Sequence, residues 1–146
     1  MSIDPTLRPI LLVEDNPVDV DLTQRAFRRR SLLSPLEVAR DGEDALARLA
    51  SWERGQPPPA VILLDLKLPR ISGIEVLRRI RAHPRFGTLA VVVLTSSAET
   101  SDVAAAYAAG ASSYVVKPVD FERFAAVCER IEQYWGEINT PPISPP

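Results

Sequence analysis

Two kinds of segment alternate along the chain. Short apolar runs occupy residues 10–13, 36–39, 60–64, 89–94 and 114–116. Between them, apolar residues recur at helical spacing. Asn16 and Pro17 form a helix start, Asn as N-cap and Pro in the first turn, followed by Val18, Leu22 and Ala26 on one face. Asp41-Gly42 precedes a second helix carrying Ala45, Leu49 and Trp52. Ile74, Leu77 and Ile80 mark a third, and the Ala-rich stretch 101–109 a fourth, closed by Gly110. Phe121, Phe124, Val127, Cys128, Ile131 and Trp135 mark a fifth. The runs 61–64 and 90–94 are continuous rather than alternating, as strands buried on both faces require. Five such strands alternating with five helices predict an α/β fold: one parallel sheet with helices on both faces.

No linker divides the pattern; the GQPPP stretch, residues 55–59, is a loop. The reading is one domain over residues 8–136. A short extension, 1–7, precedes it, and a Pro-rich tail, 137–146, follows in extended form.

Composition narrows the picture only a little. A chain of 146 residues with 25% charged residues is an ordinary globular domain with room for a core. At a net charge of −2 no basic surface dominates, which weakens a nucleic-acid reading. Arg28-Arg29-Arg30 reads as a solvated helix end. Cys128 is the only cysteine, so no internal disulfide forms, and its apolar setting makes it a small buried hydrophobe. His83 reads as a surface residue beside Pro84. No leader-like or membrane-spanning apolar run is present, which points to the cytoplasm.

The chemistry lies at the strand ends. Glu14 and Asp15 close the first run, Asp65 the third, Thr95 the fourth and Lys117 the fifth. In an open parallel sheet, ligands bind beyond the carboxyl ends of the strands. With strand order 2-1-3-4-5, strands one and three are neighbours and these side chains share one crevice. Each pair of carboxylates at ~4–5 Å repels by roughly 3–4 kcal/mol at an effective dielectric of ~20. Lys117 offsets part of this. The remaining donors are hard oxygens, so Mg²⁺ is the expected counter-ion.

The pieces LLVEDNP, ILLDLKLPRISG, VVVLTSSA and YVVKPVD, in this order and spacing, resemble the response-regulator receiver domain of two-component signalling. The resemblance covers about residues 8–135. It implies a flavodoxin-like (βα)5 domain that takes a phosphoryl group on Asp65 from a sensor histidine kinase. It implies Asp15, Asp65 and the Lys67 backbone carbonyl as direct Mg²⁺ ligands, with Glu14 acting through water. Thr95 would bond a phosphoryl oxygen and Lys117 would pair with the phosphoryl group. The Lys117–Pro118 bond is expected to be cis. Thr95 and Tyr114 would form the switch, and Lys67 and Ser97 would tune hydrolysis of the acyl phosphate.

Too few residues follow the fifth helix for a helix-turn-helix, so output is expected through protein contacts or phosphorelay, without direct nucleic-acid or membrane binding. EDNPVDVDLTQRAFRR near the start and IEQYW near the end resemble stand-alone regulators paired with bacterial and cyanobacterial phytochromes. That implies a phytochrome kinase as partner. Phe121, Tyr134 and Trp135 are candidates for a homodimer contact formed by the fourth helix, fifth strand, fifth helix and tail. The rival class is a phosphatase or phosphotransferase of haloacid dehalogenase type, which also uses a strand-end Asp with Mg²⁺. It wants a second Asp where Lys67 stands.

Overall fold

The computed structural model describes residues 8–29 and 34–142. The extension 1–7, Arg30 and the last four residues of the tail lie outside the described residues. The order is β1 (Ile10–Val13), α1 (Pro17–Arg29), β2 (Leu36–Ala39), α2 (Gly42–Glu53), β3 (Val61–Leu64), α3 (Gly73–Ala82), β4 (Val91–Thr95), α4 (Thr100–Ala108), β5 (Ser113–Val116) and α5 (Phe121–Glu132). All strand pairs are parallel, and the sheet order is β2-β1-β3-β4-β5. The expected architecture and order are both present.

Alternation along each strand builds two cores. Ile10, Leu12, Val61, Leu63, Val92 and Leu94 face the side covered by α1 and α5. Leu11, Val13, Ile62 and Leu64 face the side covered by α2 and α3, where Val76, Leu77, Ile80 and Trp52 meet them. A strand must be apolar at every position when both faces are covered, hence the unbroken runs. The outlying strands are less enclosed: β5 has no fully buried residue. Over it lies α4, which buries only Ala106, against Leu66 and Val93.

Two helix faces differ from expectation. In α1 the buried residues are Val20, Thr23, Ala26 and Phe27, while Val18 is 63% exposed. Apolar spacing alone aligned Val18 with Ala26, but Asn16 caps the helix through the Val18 amide, which places Val18 in the exposed first turn. After α5 the chain continues as a π-helical segment over Gln133–Ile138, so helix replaces the expected start of an extended tail at residue 137. His83 is also more enclosed than expected. Its side chain is 13% exposed, its Nδ1 accepts from the Arg85 and Phe86 amides, and its Nε2 lies 2.6 Å from Glu53 Oε1.

Among the described residues, no helix is long and apolar enough to cross a membrane.

Candidate functional site

Parallel register carries the strand ends to one edge. The Asp65 amide donates to Val13 O at 3.1 Å, which ties the end of β3 to the end of β1. The Lys117 amide donates to Thr95 O at 2.8 Å, tying the end of β5 to β4. Behind Asp65 the helix α3 approaches very closely. A Cβ on Gly73 would lie 2.3 Å from Asp65 O and 2.7 Å from Leu66 Cα, so only glycine fits there.

At the centre stands the Lys117 ammonium. It donates to Glu14 Oε1 in a short contact, to Asp19 Oδ2 at 2.9 Å and to Asp65 Oδ2 at 3.3 Å. Side-chain exposure is 2% for Glu14, 11% for Lys117 and 12% for Asp65, so this charge cluster is largely withdrawn from water. Burial raises the Glu14 pKa to about 7; Asp65 adds to the rise and Lys117 opposes it. For Lys117 burial works against the charge, yet the hydrogen bonds it donates to Glu14 and Asp19 and the fields of Asp65 and Glu14 outweigh it, and its pKa is raised. Asp15 sits beside Glu14 at the exposed turn into α1.

Thr95 completes the edge. It is fully buried, and its Oγ1 has no hydrogen-bond partner. A buried hydroxyl left unpaired costs ~1–3 kcal/mol, so this oxygen is set up to receive a partner. Tyr114, half-buried, donates its hydroxyl to Ser97 O at 2.9 Å. Burial raises its pKa, and the bond to Ser97 opposes the rise. Tyr114, expected to form a switch with Thr95, is thus bonded to the loop after β4. Ser97 is also engaged: its Oγ donates to Asp102 Oδ2 at 2.5 Å, linking that loop to α4. Lys67 is exposed, and its amide donates to Asp65 Oδ1 at 3.2 Å.

One expectation is overturned. No peptide among the described residues is cis, so the Lys117–Pro118 bond is trans. A prolyl amide favours trans by about 0.5–1 kcal/mol, and the trans chain already delivers Lys117 to its three carboxylates.

Asp19 was missed by the strand-end argument because it lies on α1, one turn beyond Asp15. Its place in the first turn of the helix that follows the acidic pair was the available signal.

A cleft of about 350 Å³ opens beside the cluster, lined by Asp19, Leu22, Lys117, Val119, Phe121 and Phe124. A cavity of about 130 Å³, lined by Arg8, Arg85, Trp135 and Pro141 among others, lies at the start of β3 and β4, the end of the sheet remote from the acids.

Comparison with known proteins agrees with this geometry. Residues 10–129 match the family described as "Response regulator receiver domain". The chain is 41% identical to the probable methanogenesis regulatory protein FilR2 of Methanothrix harundinacea, over 91% of this chain and 86% of the relative. It is 36% identical to response regulator Rcp1 of Synechocystis, over 92% of this chain and 93% of the relative. The Mn²⁺-bound crystal structure of Rcp1 superposes with a TM-score of 0.81 at 36% identity, covering 93% of this chain and 99% of that one. The phosphorylated cyanobacterial phytochrome response regulator RcpA gives a TM-score of 0.85 at 31% identity, covering 94% of this chain and all of that one. Buried strand ends, a lysine bridging their carboxylates and an unpaired threonine hydroxyl therefore sit on a shared scaffold: the chain belongs to the response regulator receiver domain family.

Proposed function

We propose that this protein accepts a phosphoryl group on Asp65 from the phosphohistidine of a sensor histidine kinase and signals by protein contacts or phosphorelay. The observation that carries the reading is the unpaired, fully buried Thr95 Oγ1 on the strand next to Asp65, at the edge where Lys117 Nζ also sits. A carboxylate, an ammonium and a waiting hydroxyl form a receptor for a tetrahedral oxyanion. An Asp65 oxygen attacks phosphorus, the P–N bond to imidazole breaks, and an acyl phosphate forms. Water later attacks the same phosphorus and returns carboxylate and inorganic phosphate. This chain's own residues position the reactants and balance the charge, which is most of what phosphoryl transfer asks of a protein.

A divalent cation fits the donors. Glu14, Asp15 and Asp65 offer hard oxygens, and Lys117 supplies one positive charge against them. Asp15, Asp65 and the Lys67 carbonyl would supply part of the shell and water the rest, the habit of Mg²⁺. When bound, the cation neutralises carboxylate charge and polarises the phosphoryl oxygens. The Mn²⁺-bound form of Rcp1 supports this assignment.

The likeness to Rcp1 and RcpA supports a phytochrome kinase as donor. The readout would run through Thr95, Ser97 and Tyr114 to α4, with Lys67 and Ser97 tuning hydrolysis. New charge-assisted bonds from Thr95 and Lys117 are worth ~1.5–3 kcal/mol each, against the ~5.5 kcal/mol that turns a 1:99 equilibrium into 99:1. A homodimer through α4, β5, α5 and the segment after it fits the exposed Tyr107, Val116 and Tyr134.

Acetyl phosphate with Mg²⁺, followed by intact-mass measurement, tests the acceptor. The wild type should gain one phosphoryl group and Asp65→Asn none. Equal labelling of both would end the proposal.

A further inference from the structure

Asp19 lies inside the site although neither the strand-end pattern nor the resemblance picked it out. It belongs to the first turn of α1, and its carboxylate is 32% exposed. An ammonium has three N–H bonds. Glu14, Asp19 and Asp65 each accept one from Lys117, and the longest of the three, 3.3 Å, goes to Asp65. The weakest link is thus the one to the group that reacts.

A single anchor on Glu14 would leave the ammonium free to swing about that contact. The second anchor, from another element, removes this freedom and fixes the direction of the third N–H. Glu14 follows β1 directly, whereas Asp19 is carried by α1. The helix is itself capped by Asn16, whose Oδ1 accepts from the Val18 amide at 2.9 Å and the Asp19 amide at 3.4 Å. The cap thereby holds the Asp19 backbone in place.

We propose that Asp19 is a positioning residue for phosphoryl transfer: it holds Lys117 Nζ against Asp65, so that the ammonium meets the phosphoryl oxygens as they arrive. This rests on Asp65 being the acceptor. Asp19 itself touches neither donor nor phosphorus in this role; it acts through Lys117.

The test uses the full chain with acetyl phosphate at saturating Mg²⁺, comparing wild type, Asp19→Ala and the isosteric Asp19→Asn. Asp19→Ala should lower the limiting rate about tenfold while the KM for acetyl phosphate stays within about twofold, the mark of lost orientation rather than lost binding. Asp19→Asn, which keeps an oxygen acceptor, should fall between. The ¹⁵N resonance of the Lys117 ammonium should shift in both variants. Three results would overturn the proposal: a wild-type limiting rate in Asp19→Ala, a deficit that disappears when Mg²⁺ is raised further, or an unmoved ammonium resonance. A wild type that takes no phosphoryl group would remove the acceptor reading and this one together. A labelled wild type with an unaffected Asp19→Ala would remove this one alone.

Discussion

A glutamate that is 1% exposed beside a lysine and a second carboxylate has a pH-dependent cost. Its pKa rises from 4.5 in the unfolded chain to about 7 in the fold, mainly through burial. Between these values the folded state holds a proton that the unfolded state has released. The contribution of Glu14 to stability is therefore complete below about pH 4.5 and is lost as pH rises through about 7. Denaturant unfolding in a chelator should show metal-free wild type losing stability from pH 5 to 8 relative to Glu14→Gln. The difference is on the order of 2–3 kcal/mol at most. Parallel pH profiles for the two proteins would contradict the assignment. At this scale the sequence was informative wherever a side chain ended a strand. Glu14, Asp65, Thr95 and Lys117 stand where strand ends put them, because parallel register leaves them no other edge. Asp19 was hidden because helix residues reach a site by rotation about the helix axis, which apolar spacing does not report. Val18 shows the same weakness: the cap, not the spacing, decided its direction.

Between elements, one guanidinium does much of the fastening. Arg81, in the last turn of α3, donates to Gly110 O at 2.7 Å, Gly87 O at 3.0 Å and Leu89 O at 2.6 Å. These bonds join α3 to the loop before β4 and to the turn between α4 and β5. Gly110 takes φ +103°, a conformation that glycine adopts without steric cost, and so closes α4 where the sequence placed its stop. Arg81→Ala leaves these carbonyls without their charged donor and should cost about 2–4 kcal/mol in chemical denaturation. A loss below about 0.5 kcal/mol, the usual range for a surface change, would refute the clamp. Nothing in the sequence marked Arg81, since its partners are backbone oxygens and carry no side-chain signature. The three central strands were legible for the opposite reason: burial on two faces writes itself into every position of β1, β3 and β4. The helical continuation past α5 was not legible, because Gly136 and the prolines that follow read as a stop.

For the molecule as a whole, the two ends of the sheet differ in purpose: the acids and Lys117 gather at the carboxyl end, and the opposite end holds none of them. Exposed large apolar side chains include Tyr107 of α4, Val116 of β5 and Tyr134 and Ile138 beyond α5, with Val18 of α1 and Val119 after β5 exposed as well. Light scattering at high concentration with beryllofluoride and Mg²⁺ should give twice the chain mass, and Tyr134→Asp with Val116→Asp should return it to the monomer. A monomeric wild type, with and without beryllofluoride, would exclude the dimer. Phe121 and Trp135, candidates for the same contact, are half-buried and pack against the α1–α5 core, and Arg29 lies over the Phe121 ring at 5.7 Å. Substituting them should lower the stability of the domain as well as weaken the dimer. Against this background the slight footing of α4 acquires a meaning. α3 is pinned by Gly73, Val76, Leu77 and Ile80; α4 rests on Ala106 alone. On the reading proposed above, a push of a few kcal/mol that leaves the other helices seated would re-seat this one, and the signal would leave by the loosest door.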